Sequence, residues 1–299
     1  MKLAALMVAG SRRVAIVEGE RPVRLLPASV RDIADVIADP ALQKATGEPM
    51  IQGGTPLAPF QRPRRNVFCV GKNYREHAQE FERSGFDSSS GANIIPDAPI
   101  IFTKVPECVV GSSAEISFDP AISTAIDYEG ELAVIIGTGG RAISCSAAMA
   151  HVWGYTIVND VTARDVQNRL KQWHVGKSFD TFCPMGPWAV TADEIDLKNT
   201  RLRTWVNGEL RQNANTRDLI FDVPTIIAVL SASITLYPGD IIATGTPAGV
   251  GIGFKPPRFL KNGDVVAVEI DGLGRLENTV VARGNGNVDP VVARLLRYA

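Results

Sequence analysis

The sequence predicts a β-rich α+β protein in which a small N-terminal unit precedes a larger catalytic domain. Two observations lead there. Short runs of β-branched and aromatic residues recur along most of the chain, separated by glycine- and proline-containing turns. Stretches with helical spacing are few and short.

Residues 1–60 carry three strand-like runs, LAALMVA, RRVAIVE and VRLL, and then a helical stretch at 29–39. The opening MKLAALMVAGSRR resembles the start of a signal peptide only superficially. Arg12-Arg13 and another apolar run follow it without a small-residue cleavage site, so it reads as a strand. The loop GEPMIQGGTPLAPFQRPRR is rich in Gly and Pro and sets a boundary. The expected units are residues 1–62 and 63–299. Beyond the loop, NVFCVG, APIIFT, YEGELAVIIG, VWGYTIVND, GPWAVT, LRTWVNGEL, IIATG and VVAVEIDGLGRLENTVV read as strands. Asn207-Gly208 and Asp271-Gly272 mark hairpins. Helices are expected at 74–83, 162–171 and 223–233. No repeat of solenoid length is present.

Composition excludes several classes. The formal charge of −1 and the pI near 6.3 give no electrostatic reason for a nucleic-acid or anionic-membrane partner. No apolar run reaches the roughly 20 residues of a membrane span. The 4 cysteines, at 69, 108, 145 and 183, form no CxxC pair, so a cytoplasmic setting is expected.

Four clusters could carry chemistry. In DYEGELAVII, Glu129 and Glu131 project to one side of a strand whose continuation is apolar on both faces. Either they lie on a solvated face, or a cation relieves their repulsion. Asp160 ends another strand-like run. It is either a helix N-cap or, if the strands are neighbours, a third hard-oxygen ligand suited to Mg²⁺, Mn²⁺ or Ca²⁺ rather than zinc. His77 and Glu80, three apart on a short helix, make either a general-base dyad or incidental surface charge. Lys177 sits among Gly, aromatics and Pro, either as a buried ammonium that stabilises an oxyanion or as a snorkelling loop residue. ATGTPAGVG follows a strand but lacks the ending of a phosphate loop.

Taken in order across residues 66–282, the segments GKNYREHAQE, DYEGELAVIIG, GYTIVNDVTARDVQ, GKSFDTFCPMGPW, LRTWVNGEL, PGDIIATGTPAGVG and KPPRFLKNGDVV resemble the fumarylacetoacetate hydrolase superfamily. The resemblance implies a twisted mixed β-roll, commonly a homodimer. It implies Glu129, Glu131 and Asp160 as ligands of Mg²⁺ or Mn²⁺, with Ca²⁺ also accommodated. His77 and Glu80 would be a water-activating dyad on a lid helix, and Lys177 the lysine beside the metal. Gln167 and Thr246 would contact substrate, as would Arg164, which with Asp165 also braces the site. Lys104, in FTKVPECVVGSS, loosely matches a second substrate-side lysine. The short segment 168–175 departs from the pattern where such loops shape the pocket, and the N-terminal unit lies outside the matched core. The implied reaction is metal-dependent C–C hydrolysis of a small diketo acid of the acylpyruvate or fumarylpyruvate type, through an enolate at the metal. Decarboxylation of oxaloacetate, or isomerisation or elimination in a related 2-oxo acid, is the alternative.

Overall fold

The computed structural model describes residues 1–51, 53–86, 94–284 and 288–296. Its largest sheet has 12 strands and is built around Gly130–Ile136. That strand runs antiparallel to Val152–Asn159 on one side and to Ile241–Ala243 on the other. Ile241–Ala243 pairs in parallel with Val67–Gly71, which is followed by antiparallel Ile100–Lys104. Leu132, Val134 and Ile136 pack into one hydrophobic cluster, and Ala133 and Ile135 into another. Gly130–Ile136 is thus covered on both faces, which its uninterrupted apolar run requires.

The N-terminal residues join this sheet. Lys2–Val8 and Ser11–Glu18 form a hairpin across Ala9-Gly10, and Lys2–Val8 pairs with Cys183–Thr191, with Leu3 opposite Ala189. Thr55–Leu57, inside the Gly/Pro-rich loop, pairs back onto Lys2–Val8. Leu3, Val14, Leu26 and Ile33 share a cluster with Ala133 and Ile135. The helix expected at 29–39 is Ile33–Ala38, started by a capping box between Asp32 and Asp35.

A second sheet of 5 strands orders Glu209–Asn215, Arg201–Val206, Val265–Ile270, Gly274–Ala282 and Glu115–Phe118. Asn207 and Gly208 both adopt left-handed backbone (φ 51° and 80°), as a two-residue hairpin turn demands. At the other expected hairpin the connection spans residues 271–273, and Gly272 takes the left-handed position. Both sheets contain parallel and antiparallel pairs, so the fold is the β-rich α+β class expected.

Helices occupy Arg75–Arg83, Arg164–Leu170 and Val223–Ser231. Thr162–Ala163, expected within the second helix, instead pairs with Ile126–Asp127. Among the described residues no helix is long and apolar enough to cross a membrane.

Candidate metal centre and active site

Pairing of Gly130–Ile136 with Val152–Asn159 sets Gly130 opposite Asn159 and Glu131 opposite Val158. The register is locked just beyond the strand ends. The Asp160 amide donates to the Glu129 carbonyl at 2.8 Å, and the Glu129 amide donates to Asn159 Oδ1 at 3.0 Å. As a result Glu129, Glu131 and Asp160 converge, each offering one oxygen within 4.8 Å of the others. Their exposures of 4, 1 and 0 % rule out a solvated strand face. Nor does Asp160 cap a helix: Arg164–Leu170 starts at Ala163 with no side-chain cap bond.

Three cations surround the acids. Lys177 Nζ donates to Glu129 Oε2 at 2.7 Å and to Asp160 Oδ2 at 2.8 Å, and the side chain is buried rather than snorkelling. Lys104 Nζ lies 2.7 Å from Asp160 Oδ1 and also donates to the carbonyls of Val161 and Lys177. Arg164 spans Asp127 Oδ2 (2.9 Å) and Glu129 Oε1 (2.6 Å). Burial alone would push the Glu129 carboxyl up, but Lys177 and Arg164 beside it pull it down to about 2. Burial likewise works against the charge on Lys104 and Arg164, yet Asp160 in the first case, and Glu129 with Asp127 in the second, raise both above their usual values.

Glu131 is different. Its recorded hydrogen bond comes from a neutral donor, the Gly245 amide at 2.8 Å. Burial, reinforced by Asp160 and Glu129, pushes its carboxyl well above the usual range, with Lys177 opposing. A divalent cation between the three oxygens would reverse that imbalance. Three hard, buried oxygen donors fit Mg²⁺, Mn²⁺ or Ca²⁺.

The helix Arg75–Arg83 carries the dyad. His77 Nδ1 is 3.2 Å from Glu80 Oε2, and Glu80 Oε1 accepts from the Gly249 amide at 3.0 Å. His77 is 5 % exposed, so the pair is not incidental surface charge. A small cavity is lined by His77, Glu129, Glu131, Lys177, Arg164, Gln167 and Thr246 among others. Asp160, Lys104 and Glu80 are not among its lining residues. Gln167 Oε1 accepts from Arg164 Nη1 at 3.2 Å, and Thr246 Oγ1 donates to the Gly130 carbonyl at 3.0 Å. Asp165 is held by Ser123.

Several contributors carry no chemical signal in the sequence. Trp173, in the short segment 168–175, sits edge-on to Phe81 and Phe102, and all three line the cavity. A Cβ on Gly71 would fall 2.4 Å from the Trp173 ring, so only glycine admits that indole. Gln212, fully buried, accepts from the Gly130 amide at 3.0 Å and donates to Thr246 Oγ1 at 2.8 Å. It ties the strand of the acids to the ATGTP turn. Only the strand pairing, not the local sequence, brings Gln212 there.

A buried carboxylate triad at a sheet end, flanked by lysines and close to a His–Glu pair, is a donor set that could hold a divalent cation beside a general acid–base pair. Residues 66–281 match the family model "Fumarylacetoacetate (FAA) hydrolase C-terminal". The chain belongs to the fumarylacetoacetate hydrolase family. It is 49 % identical over 224 residues to oxaloacetate tautomerase YisK of Bacillus subtilis (strain 168), covering 75 % of this chain and 72 % of that protein. It is 47 % identical over 229 residues to human mitochondrial oxaloacetate tautomerase FAHD2A, covering 75 % and 69 % respectively. Among solved structures, the fumarylacetoacetate hydrolase of psychrophilic Exiguobacterium antarcticum superposes with TM-score 0.82 at 40 % identity, over 95 % of this chain and all (100 %) of that one. The 2-hydroxyhepta-2,4-diene-1,7-dioate isomerase of Mycobacterium marinum superposes with TM-score 0.72 at 34 % identity, over 95 % and 100 %.

Proposed function

We propose that this protein is a divalent-cation-dependent tautomerase that interconverts the keto and enol forms of oxaloacetate. One observation carries the reading: acid ligands, an ammonium and an imidazole line the same small cavity. Relatives named as oxaloacetate tautomerases support the substrate. Glu129, Glu131 and Asp160 would hold Mg²⁺ or Mn²⁺, with Ca²⁺ accommodated by the same donors. The bound ion supplies Lewis-acid polarisation of the 2-oxo group and neutralises charge.

Tautomerisation moves one proton from the methylene carbon to the carbonyl oxygen, with no water consumed and no carbon–carbon bond broken. His77 is the proton carrier in this reading. Its Nδ1 is engaged by Glu80, which leaves Nε2 for exchange with the substrate. The Lys177 ammonium stabilises the negative oxygen that develops. Gln167, Thr246 and Arg164 bind the substrate from the cavity wall. Lys104, expected at the substrate, serves instead to fix Asp160 and the Lys177 carbonyl. Assembly as a homodimer in the cytoplasm belongs to the same proposal.

A second reading, hydrolysis of a 1,3-diketo acid, is favoured by one feature: the same His77–Glu80 dyad could deprotonate a water. The resemblance alone put hydrolysis first, and the names of the relatives support tautomerisation instead. Freshly dissolved enol-oxaloacetate, acetylpyruvate and keto-oxaloacetate, each followed by NMR with Mg²⁺ or Mn²⁺ and with EDTA, separate the possibilities. Metal-dependent enol–keto exchange without pyruvate is the expected result. Acetate and pyruvate from acetylpyruvate would establish the hydrolase instead, and pyruvate from oxaloacetate the decarboxylase.

A further inference from the structure

Asp127 does not line the cavity, yet its carboxylate is the junction between the two halves of the site. It is completely buried, and its hydrogen-bond partners among the described residues are N–H donors. Oδ1 accepts from the amides of Tyr128 (2.9 Å) and Gly251 (2.6 Å). Oδ2 accepts from Arg164 Nε (2.9 Å) and from the Ile252 amide (3.2 Å). Through Arg164 it reaches the acid ligand Glu129. Through Gly251 and Ile252 it pins the middle of segment 249–253.

That segment is the seat of Glu80. At one end the Gly249 amide donates to Glu80 Oε1 at 3.0 Å, and at the other a Cβ on Gly253 would fall 1.8 Å from the same oxygen. The Tyr128 hydroxyl adds a second tether, donating to the Gly249 carbonyl at 2.7 Å. Ile252 and Val250 pack with Phe81 of the lid helix. The helix of the dyad follows Val67–Gly71, two strands from the strand of the acids, and Asn73 at its start donates to the Thr244 carbonyl at 2.7 Å; segment 249–253 is what seats the Glu80 carboxylate itself.

We infer that Asp127 is a positioning residue that holds the His77–Glu80 dyad in register with the acid triad, through segment 249–253 on one side and Arg164 on the other. This rests on the dyad acting in proton transfer, as proposed above. Asparagine is nearly isosteric, but its NH₂ would face two donors whichever way the amide turns, so two of the four bonds are lost. Arg164 keeps only Glu129 as an anionic partner.

The test compares Asp127→Asn, Glu80→Gln and the double variant, all loaded with Mn²⁺. The expected result is a 10- to 100-fold loss of kcat in Asp127→Asn (about the effect of misplacing a proton-transfer group), with oxalate affinity within a few-fold of wild type. The double variant should lose no more than the worse single variant, because Asp127 acts through Glu80. Amide exchange in 75–83 and 249–253 should quicken while the exchange of 130–136 does not. Multiplicative losses, or unchanged exchange in the lid helix, would overturn the assignment. Where Asp127→Asn does not fold, Tyr128→Phe removes the other tether of the same segment and should give a smaller, equally non-additive loss; additivity with Glu80→Gln there refutes the relay too. Should wild-type protein leave oxaloacetate untouched, the proposed reaction fails, and the exchange comparison still decides the role of Asp127.

Discussion

Alanine at position 253 would place a methyl carbon 1.8 Å from Glu80 Oε1, 2.3 Å from its Cδ and 2.6 Å from its Cγ. An ordinary contact needs roughly 3.4 Å, so the carboxylate must retreat by about 1.6 Å. The 3.0 Å bond to Gly249 and the 3.2 Å bond to His77 Nδ1 cannot both survive such a shift. The atoms in the way are the far end of a flexible side chain, so the fold relaxes cheaply and Gly253→Ala should cost only about 1 kcal/mol of stability. Activity should suffer far more. Losing the group that orients the imidazole removes part of the roughly 10²–10⁴-fold that general acid–base assistance contributes, and a 10- to 100-fold fall in kcat is expected. Mn²⁺ affinity should stay unchanged, since Gly253 touches none of the three acids. Enol–keto exchange followed by NMR, urea melts and Mn²⁺ titration measure the three quantities separately. Full activity in Gly253→Ala would refute the idea that Glu80 works from its observed seat. A parallel loss of metal affinity would refute the separation of dyad from triad.

Three further outcomes follow from the buried charges. Mg²⁺ or Mn²⁺ at 100 times its Kd should stabilise the wild type by about 2.7 kcal/mol, and Glu131→Gln should abolish that gain. Metal-free Glu131→Gln should melt at or above the wild type, because burial and two neighbouring carboxylates already disfavour the Glu131 charge; a marked loss of metal-free stability would contradict this. Lys104→Met should cost about 3–5 kcal/mol in a urea titration, since it deprives Asp160 of one buried ammonium at 2.7 Å. His77→Ala should lower kcat by about 10²-fold or more with Mn²⁺ binding intact, and turnover within a factor of a few would rule out His77 as the proton carrier.

Much of this was legible in the residues. Acids at the end of a strand apolar on both faces, a His–Glu pair at helical spacing and a lysine among glycine and aromatics each offered a chemistry beside a bland alternative. What they could not supply was adjacency. Whether Asp160 caps a helix or joins Glu129 and Glu131 depends on the pairing of Asn159 with Gly130, 29 residues apart by number and adjacent only in the sheet. Gln212 and Asp127 look like ordinary polar residues until the second sheet and segment 249–253 close on them. The N-terminal strands were readable as strands, but their pairing with Cys183–Thr191 is a contact across nearly two hundred residues that no local pattern encodes. Lys104 shows the converse: the resemblance suggested a place beside the substrate, and its bonds go to Asp160.

The buried network also explains why cation and substrate should bind together. Glu129, Glu131, Asp160 and Asp127 face Lys104, Arg164 and Lys177, and around the cavity Lys72 and Glu80 add one charge of each sign, so one negative charge is in excess. A single proton on Glu131 would balance the protein alone. A dication overshoots, leaving one positive charge that an anionic oxo acid offsets inside a cavity where charges are poorly screened. Each ligand therefore removes a cost that the other meets alone, and the coupling must be reciprocal. Oxalate should bind more tightly in the presence of Mg²⁺, and Mg²⁺ more tightly in the presence of oxalate, by the same factor of roughly 5 to 150. Calorimetric titrations in both orders measure the two factors directly. In Glu131→Gln the excess negative charge is gone before any ligand arrives, so the coupling should shrink along with metal affinity. Independent binding of metal and oxalate in the wild type would refute this account of the site.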